Sequence, residues 1–180
     1  NVLSGCGTQA FDFAYQAAAG ALCLGPLDFS THTLTLTTVD DVTQSGALLA
    51  NQLLVRNATE NKDVNLTDAG NAIGTFAANV RGNVTVNVTG ALSVGSVTPV
   101  QDACPVAVNG ITTTGDGVSL TSGSTIGGLG LITAAGVILT GAGQVSAALA
   151  ANCVHALSRG RSIRHTNNPA GLTGLNLTAS

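Results

Sequence analysis

The amino-acid sequence predicts an all-β protein, a parallel β-solenoid of stacked coils with a short helical cap at its N-terminus. Three observations predict it. Charged residues make up 8% of the chain and aromatic residues 3%, while apolar residues reach 44%; small β-branched side chains fill thin repeated layers in which large rings do not fit every rung. The stretch NVTVNVT at 83–89 alternates valine strictly with Asn and Thr, the period-2 pattern of a strand with one buried face. A four-residue phrase also recurs: LTLT from Leu34, VNLT from Val64, VSLT from Val118, VILT from Val137 and LNLT from Leu175.

The elements follow in order. Residues 1–30 form an N-terminal cap or extension, because FDFAYQAAAGAL (Phe11 to Leu22) is alanine-rich and helix-compatible and stops at the breaker pair Gly25-Pro26. Residues 31–150 hold the coils. The starts of the recurring phrase lie 30, 54, 19 and 38 residues apart, and a degenerate copy at Val84 follows Val64 by 20. These spacings fit a unit of about 19–20 residues, with loops inserted or removed where 30 and 54 depart from it. Each unit supplies strand, glycine turn, second strand and turn. One coil cannot bury its own apolar side, so stacking must align Val64 over Val84 and build a continuous inward ladder. Residues 151–180 form a C-terminal segment that closes on a terminal strand, LNLTAS. The alternative architecture is a β-sandwich, which also uses short strands and frequent turns.

The wording of DDVTQSGAL (Asp40 to Leu48), DVNLTDAGNAIGTFAANVRGNVTVNVTGALSVGSV (Asp63 to Val97) and NGITTTGDGVSLTSGSTIGG (Asn109 to Gly128) resembles the repeats of filamentous-haemagglutinin-type exoproteins. These are very long bacterial surface adhesins built on right-handed parallel β-helices. The resemblance covers about residues 31–145 and implies a surface scaffold.

Composition also excludes functions. Six Lys and Arg and a net charge of −3 cannot build a phosphate track, and one Tyr with four Phe cannot build a base-stacking platform, so no nucleic-acid partner is expected. The uncharged stretch from Gly117 to Ser158 is too rich in Gly and Thr for a membrane span. Asp40-Asp41 is the only adjacent acidic pair, and neighbouring strand residues point to opposite faces. Asp63, Asp68 and Asp116 sit beside turns, where Asp bonds its local backbone; Asp40, Asp41, Asp63 and Asp68 have no EF-hand or nonapeptide calcium spacing. His32, His155 and His165 lie scattered, without zinc-ligand spacing. No nucleophile-elbow or phosphate-loop motif occurs. The sequence therefore predicts no enzyme, no catalytic residue, no metal and no cofactor. HALSRGRSIRH, from His155 to His165, is the one basic cluster and reads as a solvated loop.

Cys6, Cys23, Cys104 and Cys153 are an even set with no CxxC, which fits disulfides in an oxidising compartment. Three pairings are available; Cys6–Cys23 with Cys104–Cys153 is favoured because the first pair brackets the helical-looking segment. Sequons at Asn57, Asn65, Asn83, Asn87 and Asn176 are candidate glycosylation sites. The chain starts at Asn1 without a signal peptide and reads as processed material. A solenoid that stops at a strand leaves a backbone edge that invites pairing, so Leu175, Asn176, Leu177 and Thr178 are candidate self-association residues. The expectation is a secreted extracellular or cell-surface structural protein, a subunit of a homo-oligomeric fibre or adhesin with surface glycans as further partners. The alternatives are a carbohydrate-binding or polysaccharide-cleaving β-helix, and an ice-binding Thr-rich solenoid suggested by THTLTLTT and ITTTG.

Overall fold

The computed structural model describes residues 1–5, 7–103, 105–159, 163–166 and 174–179. In chain order its strands are β1 (Val2–Leu3), β2 (Phe13–Gln16), β3 (Leu22–Leu24), β4 (Leu27–Thr38), β5 (Val42–Gln44), β6 (Leu48–Asn57), β7 (Val64–Leu66), β8 (Ala72–Val80), β9 (Val84–Val88) and β10 (Leu92–Val94). They continue as β11 (Ser96–Val97), β12 (Val108–Asn109), β13 (Ile111–Thr113), β14 (Gly117–Ser122), β15 (Ile126–Gly127), β16 (Leu131–Gly141), β17 (Val145–Ser158), β18 (Ile163–Thr166) and β19 (Gly174–Ala179). The protein is a parallel β-solenoid of about eight turns. The hairpin-linked β-sandwich is therefore excluded: antiparallel pairing among the described strands is confined to β11 and β12.

Parallel ladders run along the stack. The first joins β1, β3, β5, β7, β9 and β14, then the second halves of β16 and β17, then β19. The expected stacking of Val64 over Val84 is present. The whole row reads Leu22, Val42, Val64, Val84, Val118, Val137, Val154, Leu175 in register, and every member from Leu22 to Val154 is buried. Four of the five recurring phrases fall on this ladder. The fifth, from Leu34, belongs to a second ladder, where Leu34 pairs with Phe13 and Leu53. That explains the interval of 30, which joins two different faces of the coil.

The interval of 54 has another cause. Val64 to Val84 is an ordinary coil, and Val84 to Val118 contains an insertion. On the second ladder Val94 pairs with Phe76, and the chain does not resume that ladder until Ile111 pairs with Ala78. Between these points the chain leaves the stack. Gly110 N–H donates to the Gly95 carbonyl at 2.8 Å, which closes the neck of the excursion. Gly110 and Gly128 hold left-handed backbones (φ 83° and 112°), and a Cβ on either would run into the carbonyl oxygen of Leu131 or Val94 respectively. Only glycine fits such a crossing. The excursion folds back as the β11–β12 hairpin. Val97 and Val108 cover Leu54 and Ala77, outward residues of the second ladder, and make a small second core.

The N-terminus departs from expectation: the segment predicted to be a helical cap is a strand and a turn. Phe13-Ala14-Tyr15-Gln16 pairs in parallel with Leu34–Thr37 as β2, and no helix occurs among the described residues. An isolated helix of three turns is marginal, whereas Phe13 and Tyr15, two residues apart, pack on the solenoid core. The alternation F-A-Y-Q outweighed the alanine content of the residues that follow it. The same ladders run through the boundaries at 30/31 and 150/151, which fall inside β4 and β17.

Candidate functional site

The side chains nominated from sequence are dispersed along the stack. Leu175–Thr178 lie on β19, whose backbone pairs with Val154–Leu157 of β17. Among the described strands β1 is paired with β3 alone and β19 with β17 alone. Thr178 is exposed. In the basic cluster, His155 and Arg159 are exposed, Arg164 and His165 sit on β18 opposite Ser146 and Ala147, and Arg161 lies outside the described residues.

Cys23 and Cys153 carry free thiols, and the partners expected for them, Cys6 and Cys104, lie outside the described residues. The bracketed helix that favoured the first bridge is absent, and Cys23 instead occupies the outward position of β3 between buried Leu22 and Leu24. Of the sequon asparagines, Asn83 is exposed, and Asn65 and Asn87 are half-buried on the outward face of the first ladder. Asn57 is only 2% exposed: its amide donates to the Asp40 carbonyl at 2.9 Å and accepts from the Thr59 N–H. The side chain of Asn176 lies outside those described.

The acidic residues serve the backbone. One coil corner carries Asp41, Asp63 and Asn83 in a column. Asp63 N–H donates to the Asp41 carboxylate, Asn83 N–H to the Asp63 carboxylate, each at 2.8 Å, and Gly117 N–H to the Asn83 side-chain oxygen at 3.0 Å. Each side chain thus clips the next coil at a corner where β-pairing lapses. Asp40 is held below the ordinary carboxylate range by the Lys62 ammonium, 2.7 Å away, and by the Asp41 N–H. Asp28 is lowered by the Thr8 hydroxyl and the Ser30 N–H. No metal-competent group of three His, Cys, Asp or Glu occurs among the described residues.

A groove lies under the excursion. Gln16, Thr35, Thr37 and Arg56, on three successive rungs, form the floor of a groove of about 440 Å³, and loop residues 99–103 form its wall. Arg56 ties loop to floor: its guanidinium bonds Asp102 at 3.2 Å and the Val106 carbonyl at 2.8 Å. Val100 N–H donates to the Thr35 hydroxyl at 3.2 Å, and Gln101 holds a left-handed backbone (φ 56°). A second groove of about 400 Å³ shares Thr37 and Arg56 with the first and extends to Asn79 and Arg81. Arg81 in turn pairs with Glu60 at 2.6 Å. Sequence reading did not bring the loop at 99–103 onto the rungs that carry Gln16, Thr35, Thr37 and Arg56. The available signal was TPVQDACPVA at 98–107, two prolines where the coil phrase lapses.

The chain matches no family model, and no curated protein or solved structure is significantly similar to it. No helix of the described residues is long and apolar enough to cross a membrane.

Proposed function

We propose that this chain is an extracellular structural protein, a rod segment of a cell-surface fibre or adhesin that self-associates through strand edges. The observation that carries the reading is the unbroken parallel stack, whose inward aliphatic row keeps register from Leu22 to Leu175 and offers no clustered catalytic side chains among the described residues. A strand paired on one side presents N–H and C=O groups to any further coil, from its own chain or from a second copy. Head-to-tail addition keeps the direction of every strand and extends the inward aliphatic row. The resemblance of residues 31–145 to filamentous-haemagglutinin-type repeats points the same way, as does a surface of Thr, Asn and Ser with few charges to repel a neighbour.

The test is negative-stain electron microscopy of the purified protein beside a variant lacking residues 175–180. Filaments formed by the full chain and lost in the variant support the proposal. Filaments unchanged by the deletion, or a full chain that stays dispersed at high concentration, overturn it.

A further inference from the structure

We propose that the two adjoining grooves form one trough that binds a segment of a neutral oligosaccharide. This goes beyond the scaffold reading and does not depend on whether the rod assembles. The grooves share Thr37 and Arg56 in their linings, so they lie side by side between the excursion loop and Arg81. Each volume lies in the range of small-ligand sites, and their adjacency suits a chain-like ligand that reaches both. The lining chemistry selects the class. Gln16 and Gln101 in the first groove, Asn79 in the second and Thr37 between them each carry donor and acceptor atoms on one side chain, and Gln101 uses one amide hydrogen on the Asp12 carbonyl at 3.4 Å. A sugar hydroxyl, which also donates and accepts, complements such a surface.

Charge excludes the anionic polymers. Both guanidinium groups of the trough face a carboxylate, Arg56 with Asp102 and Arg81 with Glu60, and the trough is neutral overall. A sulfated or uronate chain would meet no unmatched positive charge unless it first displaced a carboxylate from its guanidinium, whereas a neutral chain leaves both pairs intact. Arg56 is a positioning residue here, since its bonds to Asp102 and Val106 hold the loop that forms the wall.

The experiment applies the full chain to a glycan array carrying neutral glucan, galactan and mannan oligosaccharides beside sulfated and uronate-containing ones, followed by calorimetry on the best neutral binder. Two variants accompany it, Gln101→Ala on the exposed loop and Asn79→Ala on the exposed face of β8, each checked for unchanged far-UV circular dichroism. Binding to neutral glycans that weakens about tenfold or more in each variant, the order expected for one or two lost hydrogen bonds, supports the proposal. Binding confined to sulfated or uronate glycans overturns it, as does neutral binding indifferent to both substitutions or no binding to any arrayed glycan.

Discussion

Gln44 is half-buried in the row that holds Leu24 on the coil before it, and its amide donates to the Gly46 carbonyl and accepts from the Asp68 N–H, each at 3.2 Å. Asn71, fully buried, completes its bonding. The two amides bond reciprocally at 2.8 and 3.0 Å, while Asn71 also accepts from the Leu48 N–H and donates to the carbonyls of Leu66 and Asn87. One side chain thereby satisfies groups from several coils. Asn71→Ala should destabilise the protein by about 3 kcal/mol, because buried partners lose their bonds together; urea unfolding measures it. Gln44→Leu should cost less, about 1 kcal/mol, because the half-buried amide gives up fewer buried partners; a Gln44→Leu cost equal to that of Asn71→Ala would refute this account. Asp40 makes a different prediction. Its folded pKa lies below the ordinary 3.8 because Lys62 bonds the ionised form, so its contribution to stability is present above about pH 4 and is lost as pH falls through the lowered folded value. Asp40→Asn should therefore flatten the acid limb of a stability–pH curve below pH 4 and change its slope little near neutrality. None of this was legible in the sequence: Gln44 and Asn71 lie 27 residues apart, and nothing in QSGAL or DAGNAI announces that they meet.

At the scale of the element, the strand phrases were legible and their faces were not. V-x-L-T marks an inward pair with outward small polar residues, a pattern that any face of a coil can carry. LTLT at Leu34 and VNLT at Val64 share wording but lie on different ladders, because the pattern encodes inside and outside and not which side of the coil a strand builds. The excursion was legible only as a lapse in the repeat, and its structure turns that lapse into a test. Removing residues 96–110 places Gly95 opposite Ala77, with Val94 and Ile111 still facing Phe76 and Ala78. The interval from Val84 to Val118 falls from 34 residues to 19, the spacing between Val118 and Val137. The deletion variant should fold with an unchanged β-sheet circular dichroism spectrum. It should lose about 1–3 kcal/mol in urea, the worth of the apolar surface uncovered at Leu54 and Ala77. It should also lose the glycan binding proposed for the trough, whose first groove takes its wall from loop residues 99–103. An unfolded deletion variant would mean that the excursion organises the stack.

The whole molecule is quasi-one-dimensional, since each coil meets only its neighbours, and its stability is a sum over interfaces. Those interfaces are unequal. The corner clips run from Asp41 through Asp63 and Asn83 to Gly117; beyond it the column is carried by strand pairing, Gly117 with Gly136 and Gly136 with Cys153. A rod tethered by its two ends and placed under tension would give way where a corner rests on single side-chain bonds. Pulled in an optical trap, the segment from Asp41 to Gly117 should peel first and at lower force, in steps of one coil, while the continuously paired β16 and β17 hold. Asp63→Ala and Asn83→Ala together should widen that difference. Under load, the two halves of such a rod would differ as a fuse differs from the cable it protects.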